Sequence, residues 1–361
     1  MAQKNEAPIL ALAFLLTLGL IGGGLWVFKE PIRRLFDHSL SSTPATSSTN
    51  GALNPAQAPL STNSAAADYS AFAQAQGIPS GLFNYGGSTT WAPIRGEVDP
   101  VIQTVWPMFK LRYTDPVSGA PGSGSGIRMV LENQLAFAQS SRAIKPEEYQ
   151  AAQQRGFSLK EIPVAIDGIA IAVNLNLNFP GLTVAQLKDI YTGKITDWKQ
   201  VGGPALPIIP YSRRPEAGGT VEFFVANVLA EEPFGSAVKF IATTTEALRQ
   251  VAANPGGLYY ASAPEVVPQC TVKPLPIGRT ADQLVAPYQP PLVQPNACPA
   301  QRNQLNTTVF QQGDYPITRR LFVIVKQNNQ TDQQAGEAYA RLILTSQGQE
   351  LISKVGFVSI R

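Results

Sequence analysis

Gly86-Gly87-Ser88-Thr89-Thr90 is followed by a segment able to form a helix. The same arrangement returns at Gly122-Ser123-Gly124-Ser125-Gly126 and at Gly218-Gly219-Thr220, the last preceded by Arg213 and Arg214. Exposed backbone N–H groups at a helix start, with hydroxyl donors beside them, bind tetrahedral oxyanions. Glycine lets the backbone approach such an anion closely. One loop of this kind is an ordinary strand-to-helix turn; three in one chain point to a converging cage. Outward from these loops, strands and helices alternate. Residues 101–113 read as a helix followed by a strand, 127–134 as a helix beginning just after the second loop, and 135–140 as a short strand. The long apolar run 162–173 suits a buried strand. Residues 183–192 have helical spacing at Val184, Leu187 and Tyr191, with Thr183 as N-cap. Residues 221–229 form a helix that opens on the third loop, 320–325 a strand, and 333–355 contain a terminal amphipathic helix. The alternation predicts an α/β fold with helices covering sheets. Residues 287–299 and the cysteine loop do not fit that pattern and read as irregular surface structure.

Composition narrows the function. A chain of 361 residues accommodates two lobes. Only 15% of residues are charged, against roughly 25% in an average domain. The net charge of +3, with no Lys/Arg-rich run, gives no case for nucleic acid. His38 is the single histidine, which argues against histidine-based acid–base catalysis and most zinc sites. No catalytic residue, metal or cofactor is implied.

Residues 7–28 are uncharged and mostly apolar, 22 in all. At about 1.5 Å per residue they span a bilayer core of roughly 30 Å. Trp26, Val27, Phe28 and Lys29 stand where a cleavable signal would have small residues. The reading is an uncleaved anchor, with a signal peptide as its rival. Lys29, Arg33 and Arg34 would by charge alone keep the body cytoplasmic. Cys270 and Cys298 point the other way: a lone pair of cysteines fits one disulfide in an oxidising compartment, or else two buried thiols. Residues 39–67 lack charge and are rich in Ser, Thr, Ala, Asn and Pro, the composition of a flexible tether.

The loops also occur in a familiar order. Tyr85-Gly86-Gly87-Ser88-Thr89-Thr90, Phe137-Ala138-Gln139-Ser140-Ser141-Arg142, Asp189-Ile190-Tyr191-Thr192-Gly193-Lys194-Ile195-Thr196-Asp197-Trp198, residues 214–220 and Tyr315-Pro316-Ile317-Thr318 together resemble the phosphate-binding proteins of bacterial phosphate-specific ABC transporters, over roughly residues 82–360. The resemblance implies a type II periplasmic-binding-protein fold: two α/β lobes, two crossing strands, and a ligand cleft between the lobes. Here that fold would follow an N-terminal transmembrane helix. After the anchor or signal at 1–38 and the linker at 39–68, both read from composition, the resemblance implies a first lobe at 69–170 and 321–361 and a second at 171–320. It implies no enzymatic activity, a monomer outside the cytoplasm, inorganic phosphate as ligand and permease subunits of an ABC transporter as partners; attachment to the membrane through the N-terminal helix is the expectation from residues 7–28.

Carried over residue by residue, the phosphate contacts are Thr89 and Thr90, Ser123 with Ser125 beside it, Ser140 and Ser141, Arg214 as the arginine that pairs with the anion, and Gly218, Gly219 and Thr220. Trp91 follows Thr90 directly and offers its own backbone N–H. Well-known members carry an aspartate where Ser141 stands, as acceptor for the proton of hydrogen phosphate. That departure leaves sulfate or molybdate as a rival ligand, and a phosphate sensor or buffer uncoupled from transport as a rival role. Asp167 interrupts an apolar run and is the candidate replacement acceptor, with a ligand proton, Arg142 or Arg214 as its partner.

Overall fold

The computed structural model describes residues 71–215 and 218–360. The sequence-predicted anchor and tether lie outside them. Among the described residues no helix is long and apolar enough to cross a membrane.

Twelve strands follow in chain order. They are β1 Gly81–Gly87, β2 Phe109–Tyr113, β3 Phe137–Ser140, β4 Ser158–Asn174, β5 Leu182–Thr183, β6 Ile209–Ser212, β7 Lys239–Phe240, β8 Gly257–Ser262, β9 Val272–Leu275, β10 Ile277–Gly278, β11 Leu284–Val285 and β12 Thr318–Gln327. The main sheet runs β2-β1-β3-β12-β4-β8-β6-β7, with β9 also paired to β4. A small sheet, β11-β10-β5, stands apart from it. β4 makes the bridge. Its first part pairs antiparallel with β12 as far as Gly168, and from Ile169 onward it pairs with β8 and β9.

Burial follows the same division. One apolar cluster holds Ile169 to Ile317 and Val358; a second gathers Phe83, Trp91, Phe137, Leu321 and Tyr339, with a smaller group around Ile127 and Leu159. β4 reads as an apolar run because its second half is covered on both faces: from Gly168 to Asn174 every residue is buried.

The sequence-predicted elements are found, with shifts at their ends. Thr183 caps the helix Val184–Tyr191, its Oγ1 accepting from the Gln186 N–H at 3.1 Å. The helix expected to follow the second glycine loop instead begins inside it, at Ser123–Leu131, because the loop serves as its first turn: the Gly126 N–H donates to the Gly122 carbonyl at 2.9 Å. The terminal helix is two, Thr331–Ile343 and Ser346–Lys354, divided where the Thr345 hydroxyl turns to accept from the Gly348 N–H. Trp198 packs on Phe179, at 5.3 Å between ring centroids, and not on Tyr191, which meets Phe224, Phe234 and Tyr260. Cys270 and Cys298 form a disulfide. Closing a loop of that size stabilises a fold by roughly 3–4 kcal/mol in the chain-entropy account.

Beneath the first glycine loop lies a buried polar network. Tyr85 donates to Asp99, Tyr339 donates to Asp99 Oδ1 at 2.8 Å, and Gln139 donates to the Tyr339 hydroxyl at 2.9 Å. Burial pushes the Asp99 carboxyl from its ordinary 3.8 up to about 6, while the hydrogen bonds from the two tyrosines and the Arg95 charge pull the other way. A carboxyl whose pKa is raised by folding favours the native state below its unfolded pKa and loses that contribution as pH rises through the folded value. Between about pH 4 and pH 7 wild-type stability should therefore fall by up to roughly 3 kcal/mol relative to Asp99→Asn, whose side chain stays neutral. Denaturant melts of both proteins across that range check this; parallel curves would contradict it.

Candidate functional site

The three glycine loops arrive at one place because parallel strands deliver them there. β1 pairs parallel with β3, so the loop after Gly87 and the turn after Ser140 emerge side by side. The helices Ser123–Leu131 and Gly219–Asn227 then point their first turns at those loops. The opening N–H groups of a helix have no partner within it, and they carry the positive end of its dipole.

Gly219 packs on the hydroxyls of Ser123 and Ser141 so closely that a Cβ there would collide with both. Gly218, at φ +130°, holds the backbone conformation that brings this about. Ser141 accepts from the Ser88 hydroxyl at 2.9 Å and shares a hydrogen bond with Ser123 Oγ at 3.2 Å. The Ser141 N–H also donates to Ser123 Oγ, at 3.0 Å. All three serines are buried. Beside them Thr90 and Thr220 bring their hydroxyls to 3.2 Å. A cavity of about 280 Å³ opens there, with Thr89, Thr90 and Thr220 in its wall alongside Arg213, Tyr260 and Glu265.

The guanidinium at this junction belongs to Arg319. Its Nη2 donates to Thr220 Oγ1 at 2.9 Å, to Thr90 Oγ1 at 3.1 Å and to Asp167 Oδ2 at 2.8 Å, and its Nε donates to the same carboxylate oxygen at 3.0 Å. Arg319 stands directly opposite Asp167 in the β12–β4 ladder. The Ser262 hydroxyl donates to Asp167 Oδ1 at 2.5 Å. Burial raises the Asp167 pKa, and Arg319, Ser262 and the Ala263 backbone oppose that rise. The Nη1 of Arg319 is buried and has no hydrogen-bond partner among the described residues. A buried guanidinium N–H left unmatched is costly, and an anion is the partner that suits it.

Several sequence assignments change. Arg214 is exposed, its guanidinium 5.4 Å from the Phe240 ring centroid, and does not join the cluster. Its neighbour Arg213 does line the cavity, with a buried Nε that has no hydrogen-bond partner among the described residues. Asp167 is partnered by Arg319, not by Arg142 or Arg214. Arg142 is committed elsewhere, to Glu148 at 2.8 Å and to Glu222. Ser125 Oγ donates to the Gly122 carbonyl and Ser140 Oγ to the Arg142 carbonyl, so both turn back on their own loops. The Trp91 N–H donates to the Ser88 carbonyl at 3.2 Å, and its indole N–H to the Ser140 carbonyl at 3.1 Å, which leaves neither for a ligand. Ser88, Arg213, Glu265 and Arg319 are the residues that sequence reasoning missed. Arg319 had a signal: alternation in β12 places it on the same buried face as Leu321, Val323 and Val325.

A long strand shared between two separately cored parts, with helix starts meeting beside a cavity and a buried arginine bonded to two threonines of its wall, defines a two-lobed α/β binding protein. A family model described as a PBP superfamily domain matches residues 57–347, and the chain belongs to that superfamily. Among curated proteins it is similar to the phosphate-binding protein PstS of Staphylococcus epidermidis, 25% identical over 280 residues, covering 74% of this chain and 80% of that one. A PstS of Staphylococcus aureus is 31% identical over 168 residues, 45% of this chain and 50% of the relative. Among solved structures, a substrate-binding protein from Clostridium perfringens, assigned to phosphate ABC transport and holding bound phosphate, matches at a TM-score of 0.61 and 25% identity. It covers 78% of this chain and all of its own. An ABC-type phosphate transport receptor from Vibrio cholerae matches at a TM-score of 0.59 and 21% identity, over 76% of this chain and 99% of its own, and supports the fold alone.

Proposed function

We propose that this protein binds inorganic phosphate outside the cytoplasm and presents it to the permease of an ABC transporter, as a binding protein and not an enzyme. The observation that carries the reading is the meeting of Thr90, Thr220 and the Ser88–Ser123–Ser141 cluster at one helix start, beside the unmatched Nη1 of Arg319. Hydroxyls that now satisfy one another are rotors, and each can turn its proton toward an oxyanion. Contacts of this charge-assisted kind contribute about 1.5–3 kcal/mol each. The PstS names of the curated relatives and the phosphate in the Clostridium perfringens structure support the choice of anion.

The lobes in this reading are 69–170 with 321–361, and 171–320, and ligand contacts from both favour the closed arrangement. The N-terminal apolar segment 7–28 tethers a monomeric body to the membrane. Sulfate or molybdate is the chemical rival. Calorimetry with phosphate and sulfate on the full chain tests the reading; sulfate binding as tight as phosphate would end the assignment to phosphate.

The arginine assignment gives a sharper check. Thr220→Val should weaken phosphate binding by at least about tenfold, the scale of one hydrogen bond to a charged group. Arg214→Ala, at an exposed position, should leave it within about threefold. The reverse ranking would return the role to Arg214.

A further inference from the structure

The buried network beneath the first glycine loop reaches the serine cage. Three groups hold the loop at Ser88. Its N–H donates to the Gln139 carbonyl at 2.8 Å, its carbonyl accepts from Arg95 Nη1 at 3.5 Å, and the preceding Gly87 carbonyl accepts from the Tyr113 hydroxyl at 3.2 Å. Arg95 lies over the Tyr113 ring, 3.8 Å from its centroid, and the same Nη1 donates to Gln139 Oε1 at 3.2 Å. The other end of that amide, Nε2, donates to the Tyr339 hydroxyl, which donates to Asp99. Gln139, Tyr339 and Asp99 are all buried. Phe137 stacks on Tyr85 and on Tyr339, at 5.2 and 4.8 Å between ring centroids, which fixes both hydroxyls in place. Every bond in this chain has a direction. An ionised carboxylate only accepts, so both tyrosines donate to Asp99. Tyr339 is left with lone pairs for Gln139, and Gln139 with its oxygen for Arg95.

A protonated Asp99 must donate one bond, and the tyrosine that receives it must turn its own proton away. The Tyr85 hydroxyl has no second partner among the described residues, so the reversal falls on Tyr339. Tyr339 then donates to Gln139, whose amide inverts and sets its NH2 against the Arg95 guanidinium. Two donors face each other, and Arg95 withdraws from the Ser88 carbonyl. We propose that Gln139 and Arg95 are positioning residues for Ser88, and that the proton on Asp99 governs their hold, phosphate binding more tightly when Asp99 is ionised. The inference rests on the reading of phosphate as ligand and adds its regulation. Burial and the Asp99 charge raise the pKa of Tyr85, on β1, and of Tyr339, on the helix Thr331–Ile343, so both keep their protons. Arg95, one turn ahead of Asp99 on the helix Ala92–Val105, is the cation that favours ionisation. Lys354, on the helix Ser346–Lys354 packed against that one, pairs with Glu97 at 2.6 Å instead.

The experiment is calorimetric titration of the full chain with inorganic phosphate between about pH 5 and pH 8, for wild type, Asp99→Asn, Tyr339→Phe and the double variant. At each pH the wild-type affinity is divided by that of Asp99→Asn, which cancels the titration of phosphate itself. Asparagine offers an acceptor and a donor, the pattern of the protonated carboxyl. The ratio should be smallest near pH 5 and rise to at least about fivefold, the lower end of ordinary coupling between sites. It should level off above the Asp99 value of about 6. Tyr339→Phe cuts the chain and should follow Asp99→Asn, and the double variant should bind no more weakly than the weaker single one. A ratio constant across pH, in variants that melt cooperatively, overturns the proposal while leaving phosphate as the ligand. A Tyr339→Phe protein that keeps the wild-type pH profile also overturns it, and that comparison does not depend on Asp99→Asn folding. A wild-type protein that binds no phosphate at any pH overturns the functional reading, and this inference with it.

Discussion

Arg319→Met should destabilise the protein by about 3–5 kcal/mol and abolish phosphate binding. The stability loss follows from what remains behind. Asp167 is buried, and Arg319 supplies two of its hydrogen bonds and its counter-charge. Removing one member of such a pair strands the other in a medium of low dielectric, which costs far more than the pair itself contributes. The binding loss has a separate cause. Nη2 ties Thr90 to Thr220, and Nη1 has no hydrogen-bond partner among the described residues, so the methionine removes both the organiser of the hydroxyls and the free donor. The paired variant Arg319→Met/Asp167→Leu separates the two effects: it should recover most of the stability, because nothing charged is left buried, yet still fail to bind. Urea unfolding and calorimetry on the three proteins provide the check. Wild-type melting in the single variant would mean that Ser262 and the Ala263 backbone alone support the carboxylate.

Gly219→Ala should do the opposite, weakening phosphate binding by at least about 100-fold with little harm to the fold. Gly219 is the first residue of the helix Gly219–Asn227, outside the interior where glycine and alanine differ most, so the exchange itself changes helix stability little. The new methyl, however, points at Ser123 and Ser141 across the cleft. Either the two loops separate or the hydroxyls move off their present positions, and the ligand loses the contacts that require both sides at once. Thermal melting without ligand and titration with phosphate measure the two quantities independently. Unimpaired binding would show that the Gly219 approach is incidental to recognition.

The sequence made the loops legible because their chemistry is local. Glycine, serine and threonine ahead of a helical segment mark a turn able to take an anion, three such turns in one chain point to a common ligand, and Thr183 marks a cap by the same local chemistry. The order of those turns in the chain supplied the architecture. What local chemistry does not reveal is pairing across the sheet. Asp167 looked orphaned because its partner lies in β12, 152 residues later, and only strand register brings the two face to face. Arg214 was taken for the anion's partner by its place in a motif, but the backbone turns it outward toward Phe240 and turns Arg213 inward. Ser125 and Ser140 satisfy carbonyls of their own loops, a competition that short polar side chains commonly win and that no motif reveals. Tyr259 and Tyr260 are buried in β8, which also presents them to the cavity.

Arg142 ties the turn after β3 to Glu222 on the helix Gly219–Asn227, with Glu148 holding the guanidinium from behind. This link joins the two jaws of the clamp directly, side chain to side chain. A clamp fitted with such a clasp has a standing bias toward shutting, and the guest need supply only the remaining free energy to complete it. The fraction of molecules already shut then sets part of the apparent affinity, because a guest that finds the shut form ready made uses less of its binding free energy to close it.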